Sequence, residues 1–130
     1  MSDDFSVLKK TIWLEARGEP REGQIAVAHV IKNRAEANRE YFGGSTIAGV
    51  CLKPYQFECW NNRRPENTHP RGEGYEEMDG WLRGVLNGSI RDNTNRALYY
   101  NNPDKEGYPS WTNNVNRGIK IGQHQFYNDR

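Results

Sequence analysis

The stretch from Arg21 to Asn38 constrains the fold most. Ile25, Ala28 with His29, Val30, Ile31 and Ala35 place a stripe on one side of a helix, while Lys32, Arg34, Glu36 and Arg39 are expected to project largely outward. The small side chains of Ala26 and Ala28 let a second helix approach closely. This pattern predicts the central buried helix of the molecule, around which the other elements must pack.

Pro20 suits the first turn of that helix and disfavours helical backbone at Glu19 just before it, and Glu22 adds a favourable charge near the N-terminus. Upstream, Phe5, Leu8 and Ile12 recur at helical spacing behind the capping groups of Ser2, Asp3 and Asp4. A first helix is therefore expected from about Asp4 to Arg17, stopped by Gly18 and Pro20. Gly43-Gly44-Ser45 breaks the pattern, and Thr46 to Val50 reads as a short helical turn before Pro54. Tyr55-Gln56-Phe57-Glu58-Cys59-Trp60 alternates aromatic and polar residues, a short-strand signal, and Asn61 to Gly74 reads as an exposed loop. Met78, Trp81, Leu82, Val85 and Leu86 predict a further helix from about Tyr75 to Asn87, closed by Asn87-Gly88. Ala97 to Tyr100 and Gln123 to Tyr127 read as short strands around a turn-rich region from Asn101 to Asn116. No repeat or linker interrupts the 130 residues, which fit a single domain, 1–130, with one modest core.

Eighteen Lys and Arg against 17 Asp and Glu leave no global field to steer the chain toward nucleic acid or anionic membrane, so neither is an expected partner. Arg63, Arg64 and Arg71 form the one local basic cluster, read as a solvated stretch that is able to touch an acidic polymer. The opening Met-Ser-Asp-Asp-Phe lacks the charged and apolar regions of a secretory signal, and no run approaches the ~18 apolar residues of a spanning helix. Synthesis in the cytoplasm without a signal peptide is expected. Cys51 and Cys59 are too few for a disulfide scaffold and not in a CxxC arrangement. The first expectation is two reduced, partly buried side chains, with a disulfide second and a metal site third.

With Phe5 at zero and ~100° per residue, Leu8 lies near ~300°, Ile12 near ~340° and Glu15 near ~280°. Glu15 thus sits beside the apolar stripe, where partial burial disfavours its charged form and raises its pKa toward the range of a general acid. A purely structural pairing of Glu15 with Arg17, Arg21 or Lys120 fits the same position. Glu19, at the break between helices, is the rival acid, with a cap-like or Arg-pairing role as the simpler account.

The run from Glu15 to Ala28, Glu-Ala-Arg-Gly-Glu-Pro-Arg-Glu-Gly-Gln-Ile-Ala-Val-Ala, followed by Val30-Ile31-Lys32-Asn33-Arg34, resembles the signature of the SleB/CwlJ cell wall hydrolase family. Ile47-Ala48-Gly49-Val50, Tyr55-Gln56-Phe57, the run from Ala97 to Pro103 and the run from Ile121 to Tyr127 look like its later motifs in the right order. The resemblance covers about Leu8 to Tyr127. It implies an α+β, mainly helical, lysozyme-like single domain with a small β-hairpin or short sheet beside the cleft, acting on bacterial peptidoglycan, with Glu15 as the acid. This chain departs from the family in having Trp13-Leu14 before the acid and in the polar stretch Asn61 to Gly74, which looks inserted. The absence of a signal and of wall-binding repeats suggests a phage endolysin that reaches the wall after release.

The implied chemistry is cleavage of the MurNAc-GlcNAc strand as a lytic transglycosylase, which needs one acid because the muramic C6 hydroxyl acts as internal nucleophile and a 1,6-anhydro sugar forms. Glu58 is a candidate second carboxylate for a hydrolytic route. Substrate-binding residues are expected at Gln56, Phe57, Tyr100 and Asn102, with His124 and Trp60 beside them, and Tyr55, Tyr99 and Trp111 as further aromatic faces. No metal or cofactor is expected, and the chain is read as a monomer. An N-acetylmuramoyl-L-alanine amidase is the enzymatic alternative, although His29, His69 and His124 lack paired metal spacing. A non-catalytic glycan-binding module is the alternative from another class.

Overall fold

The computed structural model describes residues 3–130. Helix α1 spans Asp4–Ala16 and is capped by Asp3, whose carboxylate accepts from the Phe5 N–H at 3.2 Å; the capping expectation at Ser2 falls outside the described residues. Helix α2, Arg21–Ala37, begins behind Pro20 and ends where Asn38 turns left-handed at φ 52°. Helix α3, Ile47–Leu52, starts at Thr46, whose hydroxyl accepts from the Gly49 N–H at 3.0 Å, and α4, Glu73–Asn87, ends at Gly88 with φ 87°. Each of these helices stands where its periodicity and punctuation put it.

The C-terminal third forms a small antiparallel sheet. Strand β1 is Tyr99–Asn101, β2 Val115–Ile121 and β3 His124–Asp129, in the order β1-β3-β2. Tyr99 pairs with Tyr127, Asn101 with Gln125, and Ile121 with His124, with an irregularity in β2 between Arg117 and Lys120. A four-residue helix α5, Pro103–Glu106, capped by Asn102, follows β1.

Two expectations are corrected here. The residues from Tyr55 to Trp60 form no strand: a turn leads into a single 3-10 turn at Glu58–Trp60, because Phe57, Cys59 and Trp60 all pack inward against the helical core instead of alternating faces. Arg34 does not project outward. It is 9% exposed, its Nε donates to Leu98 O at 2.7 Å, and its guanidinium lies over the rings of Phe42 and Phe57.

The apolar interior has two parts that share α2. Val27, Ala28 and Ile31 pack with Leu8 and Ile12 of α1 and with Met78, Leu82 and Val85 of α4. Ala26 and Val30 instead meet Ala97 and Phe126 of the sheet region. The stripe of α2 thus wraps round the helix, which is why its small residues matter: they let helices and sheet approach from two sides. Cys51 and Cys59 are both free, the first buried and the second half-buried, as the first expectation held.

Candidate active site

A cleft of about 380 Å³ opens between the helices and the sheet. Glu15 enters it from the last turn of α1, Arg34 from α2, Tyr100 from β1 and His124 from the start of β3. Gln56, Phe57 and Asn102 also line it, with Tyr55, Glu58, Lys105 and Glu106 toward the outside.

Glu15 is half-buried, and its neighbours explain its state. Its Oε2 accepts from the Cys59 N–H at 3.2 Å. Burial raises its pKa; the Cys59 N–H and thiol oppose that shift, and the charge of Glu58 adds to it. None of Arg17, Arg21 and Lys120 forms an ion pair with Glu15 among the described residues, so the structural pairing weighed from the sequence is not made. The 3-10 turn at Glu58–Trp60 is what aims the Cys59 amide at the carboxylate, and Trp60 anchors that turn by donating its indole N–H to Thr11 Oγ1 at 3.0 Å.

Tyr100 faces His124 with ring centroids 4.9 Å apart, and burial holds its phenol far above the ordinary range, so it remains a neutral hydroxyl. Burial lowers the His124 pKa against the opposing pull of Glu19 and Glu106. Its Nδ1 has no hydrogen-bond partner among the described residues and stands 3.9 Å from Glu19 Oε1. Glu19 is not paired to arginine: its Oε1 accepts from the Gln123 N–H at 3.0 Å, tying the β2–β3 turn to the α1–α2 junction. Gly122 permits this approach. It has φ +58°, and a Cβ there would lie 2.5 Å from Glu19 Oε1.

The remaining predicted residues divide by position. The Gln56 amide donates to Phe42 O at 2.9 Å and Val50 O at 2.8 Å, and Phe57 is 3% exposed, so both build the wall of the cleft from within. Asn102 caps α5 and donates to Gln123 Oε1 at 3.3 Å. Trp60 lies outside the cleft and lines a neighbouring groove, because its indole is turned toward α1. Tyr99 hydrogen-bonds Asp129 at 2.8 Å and Trp111 packs edge-on to Tyr127, both away from the cleft. Tyr55 stands at the rim, 88% exposed, with a left-handed backbone at φ 63°. Arg34 is the cleft residue that charge reasoning missed; its spacing of three, four and seven from Ile31, Val30 and Val27 was the available signal.

No three His, Cys, Asp or Glu side chains among the described residues are placed to hold a metal ion. His29 is buried on α2, with Nε2 3.1 Å from Ile90 O, and burial lowers its pKa.

Residues 18–127 match the sequence model described as Cell Wall Hydrolase. The chain belongs to this family. Its curated relatives include the Spore cortex-lytic enzyme of Bacillus subtilis (strain 168), 34% identical over 128 residues, covering 96% of this chain and 37% of that protein. The enzyme of the same name from Oceanobacillus iheyensis is 32% identical over 127 residues, covering 95% of this chain and 41% of that protein. The chain thus spans about two fifths of the length of these relatives. Among solved structures, the catalytic domain of the germination-specific lytic transglycosylase SleB from Bacillus anthracis superposes with a TM-score of 0.75 at 30% identity, covering 98% of this chain and 96% of that one. The catalytic domain of the Bacillus cereus SleB protein gives 0.74 at 31% identity, covering 95% and 88%. The mainly helical fold with a small antiparallel sheet beside the cleft is therefore that of the SleB catalytic domain.

Proposed function

We propose that this cell wall hydrolase cuts the MurNAc-GlcNAc strand of peptidoglycan as a lytic transglycosylase, with Glu15 serving in turn as acid and base. The observation that carries the reading is a single half-buried carboxyl with a raised pKa, held at one oxygen by the Cys59 N–H and open to a cleft deep enough for sugar rings. The relatives named as lytic transglycosylase and spore cortex-lytic enzymes support the same substrate class.

The Cys59 amide engages Oε2, and Oε1 is the oxygen assigned to carry the proton. Protonated Glu15 donates it to the glycosidic oxygen as the C1–O bond breaks, and the leaving sugar departs as an alcohol. The C6 hydroxyl of the same muramic residue then attacks C1 and returns its proton to Glu15, which ends as it began, with a 1,6-anhydro ring as product. Arg34 and the neutral Tyr100 and His124 line the path of the strand and supply donors to its hydroxyl and acetamido groups.

One observation favours a second route. Glu58 lines the same cleft, and its charge acts on Glu15, so it is placed to activate water and give a hydrolytic product. Digestion of purified murein by wild type and Glu15→Gln, analysed by mass spectrometry, decides between them. Anhydro-muropeptides from wild type, reduced at least ~10³-fold in the variant, are expected. Reducing-end sugars would transfer the assignment to the two-carboxylate route. Free stem peptides alone would indicate an amidase, and binding without soluble fragments a non-catalytic module.

A further inference from the structure

The polar stretch after Trp60 is not a free loop. Lys10 Nζ donates to Pro65 O at 2.7 Å, Thr68 Oγ1 donates to Arg64 O at 2.8 Å, and Pro65 is buried, so this backbone is fastened to α1. Two shallow grooves flank the stretch, one of about 500 Å³ along Trp60 to Arg64 and one of about 380 Å³ between Asn67 to Pro70 and the end of α1. Arg63 and Asn67 line both, so the two grooves adjoin as two arms of one trough. It comes nearest the acid at its Trp60 end: the amide of Cys59, the residue before Trp60, holds Glu15, and the charge of Arg63 reaches Cys59.

Its chemistry is one-sided. Arg17, Arg63 and Arg64 are exposed along it, none has a carboxylate within 4.0 Å among the described residues, and no Asp or Glu lines either groove. The Arg17 guanidinium lies 5.8 Å from the Trp13 ring. In a chain whose charges nearly cancel, 18 against 17, three unpaired guanidiniums on a fastened backbone, interleaved with side-chain amides, form a surface complementary to carboxylates. With Arg63 this near the turn that holds the acid, an anion on the strand being cut comes within the trough's reach. In murein the group so placed is the peptide amide-linked to the lactyl carbonyl of muramic acid, which carries free carboxylates.

We propose that the Arg17–Arg63–Arg64 trough binds the stem-peptide carboxylates of the muramic residue at the cleavage point, so that the peptide, as well as the sugar, determines where the strand is cut. This rests on the peptidoglycan reading above. The test uses the Glu15→Gln protein as a non-cutting binder and titrates three soluble strands by calorimetry: peptide-bearing, peptide-bearing with carboxylates converted to amides, and stripped of peptide. Peptide-bearing strands are expected to bind tightest, with their advantage over stripped strands falling about fivefold to tenfold in R63Q/R64Q, restored in part in R63K/R64K, and absent for the amidated strands. Equal binding of all three strands, or an advantage untouched by R63Q/R64Q, overturns the proposal. Failure of the glycan reading looks different: stripped strands would be neither bound nor cut by wild type, and the trough would lose its assigned ligand as well.

Discussion

Glu15 shows how one residue trades stability for chemistry. Its carboxyl titrates above the ordinary value of 4.5 because burial penalises the charged form. The folded protein therefore holds this proton more tightly than the unfolded chain does. The associated stability is complete below about pH 4.5 and is lost as the pH rises through the raised value. Glu15→Gln removes the buried charge, so the variant should melt a few degrees above wild type at neutral pH, the gap closing as the pH falls to about 4. Thermal melts across that range check this; a variant that melts lower at neutral pH would mean that the charged carboxylate is well solvated. Glu15 was legible from the sequence because its angle beside Leu8 and Ile12 was unusual for an acid. Arg34 had the same kind of signal, yet its charge outweighed its spacing. A guanidinium that finds a carbonyl and two rings can occupy a core position.

Among the elements, α1 to α4 were readable to within a residue or two, since period, caps and glycine or proline stops agreed, while the four-residue α5 lies in a stretch read as turns. The sheet was not. β2 is an edge strand with only Val115 and Ile121 half-buried, and Arg117 and Lys120 exposed, so it offered no alternation to find. The 3-10 turn at Glu58–Trp60 imitated a strand because its aromatic residues are set by packing on α1, a tertiary condition. Both elements place cleft groups, β3 through its turn with β2 and the 3-10 turn through the Cys59 amide. That is why the candidate residues were recognisable by type while their arrangement was not. The turn between β2 and β3 can be tested directly. Gly122→Ala sets a methyl against Glu19 Oε1 at a left-handed backbone position, and should cost roughly 1–3 kcal/mol of stability while displacing His124. Chemical denaturation measures the first, and a fall in murein-cutting rate beyond what the unfolded fraction explains measures the second.

Over the whole molecule, α2 contributes to both parts of the interior, and the cleft lies where the helical part meets the sheet. The chemistry assigned to it needs only protons and the sugar's own hydroxyl. Excess EDTA during murein digestion should therefore leave the rate unchanged, and a loss restored by added zinc would reinstate the amidase alternative. The contact between Glu19 and Gly122 reaches across this same architecture, joining residues near opposite ends of the sequence. A side chain at 122 and a glutamate at 19 compete for one space, so each position limits what inheritance can do at the other. Shortening or turning the acid removes the clash at Oε1 but leaves the left-handed backbone at 122, so position 19 governs only one of the two obstacles to a side chain there. A second change at position 19 is thus expected to relieve a Gly122→Ala variant only in part.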